Sequence, residues 1–270
     1  MDTETLRDRG LVLLGCGKMG SAMLEGWLAG ALEPRHVWVQ DPAPSDWLKE
    51  LDGLHLNADL PEAPAMVLVA VKPQMMGDAL PAMRRLGNGE TVFVSVAAGT
   101  PIARFEEALG DATPVIRAMP NTPAAIGHGI TALVANPRAE HALPLAEDLM
   151  RAVGRTVLLD DETQMDAVTA VSGSGPAYVF HLIECLTQAG MAEGLSEDMA
   201  RDLAKATVAG AGALAAGSDR PAADLRRDVT SPGGTTQAGL DVLMDDEAGL
   251  PPLIRRTVAA AADRSRELAR

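Results

Sequence analysis

The stretch LVLLGCGKMGSAML, residues 11–24, decides how the rest of the chain is read. Residues 11–14 form a short apolar run of the kind a buried strand shows. From Lys18 onward, Met19, Met23, Trp27 and Gly30 recur near helical spacing. Between the two lies a G-x-G-x-x-G array of Gly15, Gly17 and Gly20. The first glycine permits a tight turn, the second lets backbone approach a pyrophosphate, and the third lets the helix pack closely on the strand. The start of the helix then offers unpaired N–H groups to phosphate oxygens. The array predicts a dinucleotide site with Gly15, Cys16, Gly17, Lys18, Met19 and Gly20 as candidate contacts; plain packing is the competing role for Cys16.

Asp41 ends the next apolar run, HVWVQ (36–40). An acid at the end of this second strand accepts hydrogen bonds from an adenosine ribose 2′-OH and repels a 2′-phosphate. No arginine follows in QDPAPSDW. The residues therefore lean toward NADH over NADPH, although Asp41 before Pro42 also suits a simple turn.

Outward from this turn, strand-like and helix-like segments alternate. The runs MVLVAV (66–71) and TVFVSV (91–96) are continuously apolar, as strands of a parallel sheet covered on both faces must be. PVIRAM (114–119), GITALVA (129–135) and TVLLD (156–160) read as further strands. SDWLKEL reads as a short helix capped by Ser45, and RAEHALPLAEDLMRAVG as a charged helix. This alternation predicts an α/β fold with a Rossmann-type doubly wound sheet. Past Glu162 no strand pattern remains, and helices are expected at about 162–171, 176–193, 197–217, 221–228, 236–246 and 250–268. The chain thus divides into a dinucleotide-binding domain, 1–160, and an all-helical dimerisation and substrate domain, 161–270. Gly210, Gly212 and Gly217 among alanines favour close helix approach, and so small a helical domain gains core by interlocking with a second copy.

Bulk properties narrow the class. The 270 residues are 47% apolar but only 3% aromatic, and the net charge is −14. Such a balance argues against nucleic acid or an anionic membrane as partner. The polar start MDTETLRDRG is unlike a signal peptide, and no apolar stretch approaches the roughly 18 residues of a membrane span. Cys16 and Cys185 match no disulfide framework or metal spacing, and the five histidines show no paired ligand pattern. A cytoplasmic protein without a metal is expected.

Six motifs occur in order: GCGKMGSAM, VAVKPQ (69–74), SVAAGT (95–100), MPNTPAAIGHG (119–129), DAVTAVSGSGPAYVF (166–180) and VTSPGGTT (229–236). Together they resemble the pyrroline-5-carboxylate reductases, from about Leu11 to the C-terminus. The last two motifs are the most specific. The resemblance implies reduction of the C=N bond of Δ1-pyrroline-5-carboxylate to L-proline with NADPH or NADH, the last step of proline biosynthesis. It implies interlocked helical domains in a homodimer, in many members a ring of five dimers, with substrate between one subunit's nicotinamide and a loop of its partner. It further implies that Val71, Lys72 and Pro73 lie along the cofactor, Ala97 and Ala98 near the nicotinamide ribose, and Asn57 near the adenosine. One departure is Gln40-Asp41-Pro42, where many members carry small or basic residues. A related Rossmann imine or β-hydroxyacid oxidoreductase is the alternative reading, but that class normally lacks the SPGGTT loop.

The substrate carries a carboxylate, so its site needs hydrogen-bond donors. Ser231, Gly233, Gly234, Thr235 and Thr236 offer them: Pro232 fixes a turn, the glycines leave the backbone bare, and the threonines open the next helix. Thr236 matches the family threonine whose hydroxyl meets the ring nitrogen; a helix cap without ligand contact is its competing role. Ser174 and Asn121 are possible cleft residues. Ser174 equally suits a hinge or cap, and Asn121 a structural turn.

Overall fold

The computed structural model describes residues 1–30 and 32–269. Helix α1 (Thr3–Arg9) leads into strand β1 (Leu11–Leu14) and α2 (Lys18–Leu28). There follow β2 (Val37–Gln40), α3 (Asp46–Glu50), the two-residue β3 (His55–Leu56), β4 (Met66–Val69), α4 (Met76–Ala82) and β5 (Val92–Ser95). Next come α5 (Ile102–Leu109), β6 (Val115–Met119), β7 (Gly129–Ala135), α6 (Leu143–Arg151) and β8 (Gly154–Leu158). Ser45 caps α3 as its position suggests, its side chain accepting from the Leu48 amide. The sequence reading missed α1, β3 and α5.

The strands form one sheet in the order β3-β2-β1-β4-β5-β6-β7-β8. Strands β1 to β6 run parallel, β7 is antiparallel to β6, and β8 is parallel to β7. Burial explains the continuous apolar runs: β1, β4 and β5 are buried throughout. On one face, Leu11, Leu13 and Leu68 pack with Met23 and Trp27 of α2 and with Leu145 and Leu149 of α6. On the other, Val12, Val67 and Phe93 pack with Leu80 of α4 and Phe105 of α5. Two layers of helices around a mostly parallel sheet make the doubly wound architecture expected from the sequence.

After β8 come α7 (Met165–Val168), a π-helical turn at Thr169–Gly173, α8 (Gly175–Ala192), α9 (Glu197–Ala216), α10 (Ala222–Asp228), α11 (Thr235–Leu243) and α12 (Leu250–Leu268). Packing divides the chain into two compact units. The first holds residues 1–173 with the segment from Ala261 onward, and the second is Ser174–Ala260. The sequence pattern changes near residue 160 because strands stop there. The packing changes later, because Met165 still belongs to the buried core of the sheet and Asp166 accepts a 2.6 Å hydrogen bond from Ser265.

The second unit has little interior of its own. Helices α8, α10 and α11 contain no buried residue, and α9 buries only Ala200 and Ala204. Phe180, Leu182, Leu186, Leu203 and Val242 are exposed on them. Apolar surface on this scale marks an association face.

Trp27 is fully buried and donates its indole N–H to the Leu149 carbonyl at 2.9 Å, tying α2 to α6. Trp27→Ala is expected to cost about 3–5 kcal/mol, through a cavity and an orphaned carbonyl. Urea unfolding followed by circular dichroism measures it.

Candidate active site

Strand β1 pairs with β2 on one side and β4 on the other, so the strand order reverses there. Leu14 stands level with Gln40 and with Val69, and Val69 with Ser95. The segments after β1, β2, β4 and β5 therefore leave the same edge of the sheet. In open α/β sheets the loops diverge at such a switch point and leave a crevice.

Each glycine of the first motif has its own geometry. Gly15 sits at φ 87°, and a Cβ there would lie 2.9 Å from Val71. A Cβ on Gly20 would lie 2.5 Å from the Gly15 carbonyl oxygen, so this position keeps helix and turn in contact. Gly17 is different. Its φ is −71°, which any residue adopts, and among the described residues no atom beyond its chain neighbours and its own helix lies within 4 Å of where its Cβ would be. Neither backbone strain nor internal packing requires a glycine there, and the space above it is open. Gly17 and Lys18 are exposed, and Met19 is half-buried. The first helical bond of α2 runs from Ser21 N–H to the Gly17 carbonyl, and the helix start carries no side-chain cap. Among the described residues, the amides of Lys18, Met19 and Gly20 thus have no hydrogen-bond partner.

Cys16 is buried, and that burial pushes its thiol pKa up, which keeps the sulfur protonated and inert. Its backbone N–H donates to Asp41 Oδ2 at 2.7 Å. Asp41 Oδ1 accepts from the Ala43 amide at 2.8 Å, so the turn role suggested by Pro42 is real. The same bonds hold the carboxylate against the glycine turn. Asn57, at φ 51°, grips the Asp41 peptide from both sides: its Oδ1 accepts from Asp41 N–H at 2.9 Å and its Nδ2 donates to the Asp41 carbonyl at 2.9 Å. Asn57 thus positions Asp41.

Val71, Lys72 and Pro73 follow β4, with Lys72 exposed and extended. Ala97 is buried and donates its N–H to Ser95 Oγ at 3.3 Å, while Ala98 is half-buried. Asn121 is tied on both sides: Oδ1 accepts from Ile130 N–H at 2.9 Å, and Nδ2 donates to Ser172 Oγ at 3.3 Å. It fastens the end of β6 to the π-helical turn. Ser174 precedes α8 but makes no side-chain cap bond.

In the second unit, VTSPGGTT breaks the helices as a tight turn. Gly234 N–H donates to the Ser231 carbonyl at 3.0 Å, with Gly233 at φ 68°, the left-handed position that follows proline in a type II turn. The expected donor set shifts accordingly. The Gly234 amide is consumed within the turn, and the first helical bond of α11 is Ala238 N–H to the Gly234 carbonyl. Among the described residues, the amides of Ser231 and Gly233 in the turn and of Thr235, Thr236 and Gln237 at the helix start have no hydrogen-bond partner. The N-cap is Gly234, which has no side chain to cap them, so Thr236 is not the cap. Both threonines are exposed.

Known proteins bear on this arrangement. A family model described as pyrroline-5-carboxylate reductase dimerisation matches residues 162–268, and one described as NADP oxidoreductase coenzyme F420-dependent matches residues 11–99. The pyrroline-5-carboxylate reductase of Pseudomonas aeruginosa is 38% identical over 265 residues, 96% of each chain. This chain belongs to the pyrroline-5-carboxylate reductase family. A solved structure from Coxiella burnetii, a pyrroline-5-carboxylate reductase, superposes with TM-score 0.90 at 33% identity, covering 97% of this chain and 99% of that one. A Plasmodium falciparum pyrroline carboxylate reductase solved with NADP bound gives TM-score 0.83 at 27% identity, covering 98% and 99%.

Arg117 and Glu162 went unread in the sequence. The arginine interrupts the apolar strand PVIRAM, a signal that was available, and it pairs with Glu162 at 2.8 Å.

Gly17→Val is expected to leave the unfolding temperature within about 1–2 °C of the parent, since nothing in the chain opposes the side chain, while weakening coenzyme binding at least about ten-fold. Gly20→Val is expected to lower stability instead. Thermal unfolding and NADH fluorescence titration separate the two.

Proposed function

We propose that this chain reduces the C=N bond of Δ1-pyrroline-5-carboxylate to give L-proline, with a reduced nicotinamide dinucleotide as donor. The observation that carries this reading is the bare helix start that follows SPGG, at Thr235. It leaves three amides without partners in a segment where continuous helix would have consumed them. A carboxylate is the natural occupant of such a site, because the helix dipole adds to the hydrogen bonds. The family likeness supplies the rest.

The residues of the first unit fit a dinucleotide. The space above Gly17 and the free amides at the start of α2 would hold the pyrophosphate. Val71 to Pro73 and Ala97 to Ala98 would line the nicotinamide half. When bound, the coenzyme supplies a hydride for the imine carbon. The amides of Thr235, Thr236 and Gln237 hold the substrate carboxylate, and the Thr236 hydroxyl hydrogen-bonds the ring nitrogen. A hydroxyl is a weak acid, so its work is to orient the ring or to relay a proton from water. A substrate bound as the protonated iminium needs little acid catalysis, and rate then comes mainly from positioning.

Asp41 favours NADH. Its carboxylate is fixed 2.7 Å from the Cys16 amide, where a 2′-phosphate would meet a held negative charge. The exposed apolar helices 161–270 form the dimer, with a ring of five dimers as the larger assembly, and the two free cysteines suit a reducing cytoplasm.

An assay of pyrroline-5-carboxylate with each coenzyme tests the reading, and absence of proline with both would end it. Asp41→Ser is expected to move the kcat/KM ratio toward NADPH by about ten-fold or more. Thr236→Val, which keeps the shape and removes the hydroxyl, is expected to lower kcat about ten-fold or more with NADH binding unchanged.

A further inference from the structure

A charged side chain in the middle of a sheet needs a reason. Arg117 lies on β6, level with Ser95 on β5, and its side chain is only 6% exposed. Nη1 donates to Glu162 Oε1 at 2.8 Å. Nη2 is buried and has no hydrogen-bond partner among the described residues. A buried ion pair with an orphaned donor is poor value as a source of stability; an apolar side chain of similar size would serve the fold as well or better. Its partner explains it. The same Glu162 oxygen accepts the backbone N–H of Ile102 at 2.9 Å. Ile102 is the first residue of α5, which has no side-chain cap from its own Pro101. One carboxylate oxygen therefore joins a strand, a helix start and the segment that follows β8.

What lies between these anchors is the loop 96–101. At its near end, Ser95 Oγ holds the Ala97 amide; at its far end, Glu162 holds Ile102. In between, Gly99 takes φ 69° and packs so closely that a Cβ would lie 2.9 Å from the Cβ of Leu268. We propose that Arg117 and Glu162 are positioning residues for this loop, and through it for the nicotinamide end of the coenzyme. The inference rests on the reading of Ala97 and Ala98 given above. Asn121 ties the end of β6 to Ser172, so the stretch 162–173 is fastened to β6 at two points, one before the π-helical turn at Glu162 and one within it. π-Helical turns of this sort occur frequently at functional sites.

The test compares wild type with Arg117→Met, Glu162→Ala and Glu162→Gln. It measures NADH affinity by fluorescence, KM for each reactant, kcat, and thermal unfolding. Glu162→Ala and Arg117→Met are expected to raise the KM for NADH about ten-fold, while the KM for pyrroline-5-carboxylate changes less than about two-fold. Glu162→Gln still offers an oxygen to both donors and is expected to stay within about three-fold of wild type. A merely structural loss would reduce the active fraction and kcat without splitting the two KM values. If Glu162→Ala does not fold, Arg117→Met decides, because Glu162 at 29% exposure stays hydrated without its partner. Wild type that binds and turns over, with both variants matching it in NADH affinity, overturns this inference alone. So does equal loss in Glu162→Ala and Glu162→Gln. Wild type that binds neither coenzyme overturns the functional reading and this inference together.

Discussion

Everything in the first unit follows from β1 being flanked by two strands that the chain reaches in opposite directions. Because β2 lies on one side and β4 on the other, the turns leaving them part above Leu14. The crevice is a property of strand order, and side chains merely furnish it. That is why the residues expected to touch a coenzyme come from separate stretches of sequence. The glycine turn, Asp41, the segment Val71–Pro73 and the loop at Ala97 all follow the carboxyl ends of neighbouring strands.

The parts of this plan that were legible in the sequence are those governed by local chemistry. Gly15, Gly17 and Gly20 were assigned a sharp turn, a ligand approach and a helix contact. The structure gives the first and third directly, and leaves open space at the second. The continuous apolar runs marked buried strands because both faces are covered. Ser45 announced α3. In the second unit the helix limits were close, since each helix begins after a recognisable break such as Ser196, Pro221 or Gly234.

What was not legible depends on tertiary partners. Nothing local in GITALVA says that β7 runs against β6; that follows from the short return through Thr122–Ile126. β3 exists only because Trp38 and Val39 offer it pairing partners, with His55 stacked on Trp38 at 4.2 Å. The amide count at SPGGTT was misread because the turn itself consumes Gly234 N–H. Packing continues past residue 160 because Met165 finishes a core begun by strands, which a helical pattern alone cannot reveal. Asn57 is also instructive. Its placement rested on resemblance, and its chemistry is to hold the peptide of another residue rather than to offer a free side chain.

The second unit reverses the usual relation between folding and assembly. Helices α8, α10 and α11 contain no fully buried residue, so another copy of the chain supplies the interior they lack. Maturation then becomes a bimolecular event. Newly made chains must meet before they are finished, the half-time of that step lengthens as expression falls, and the yield of native enzyme rises more steeply than the amount of chain synthesised.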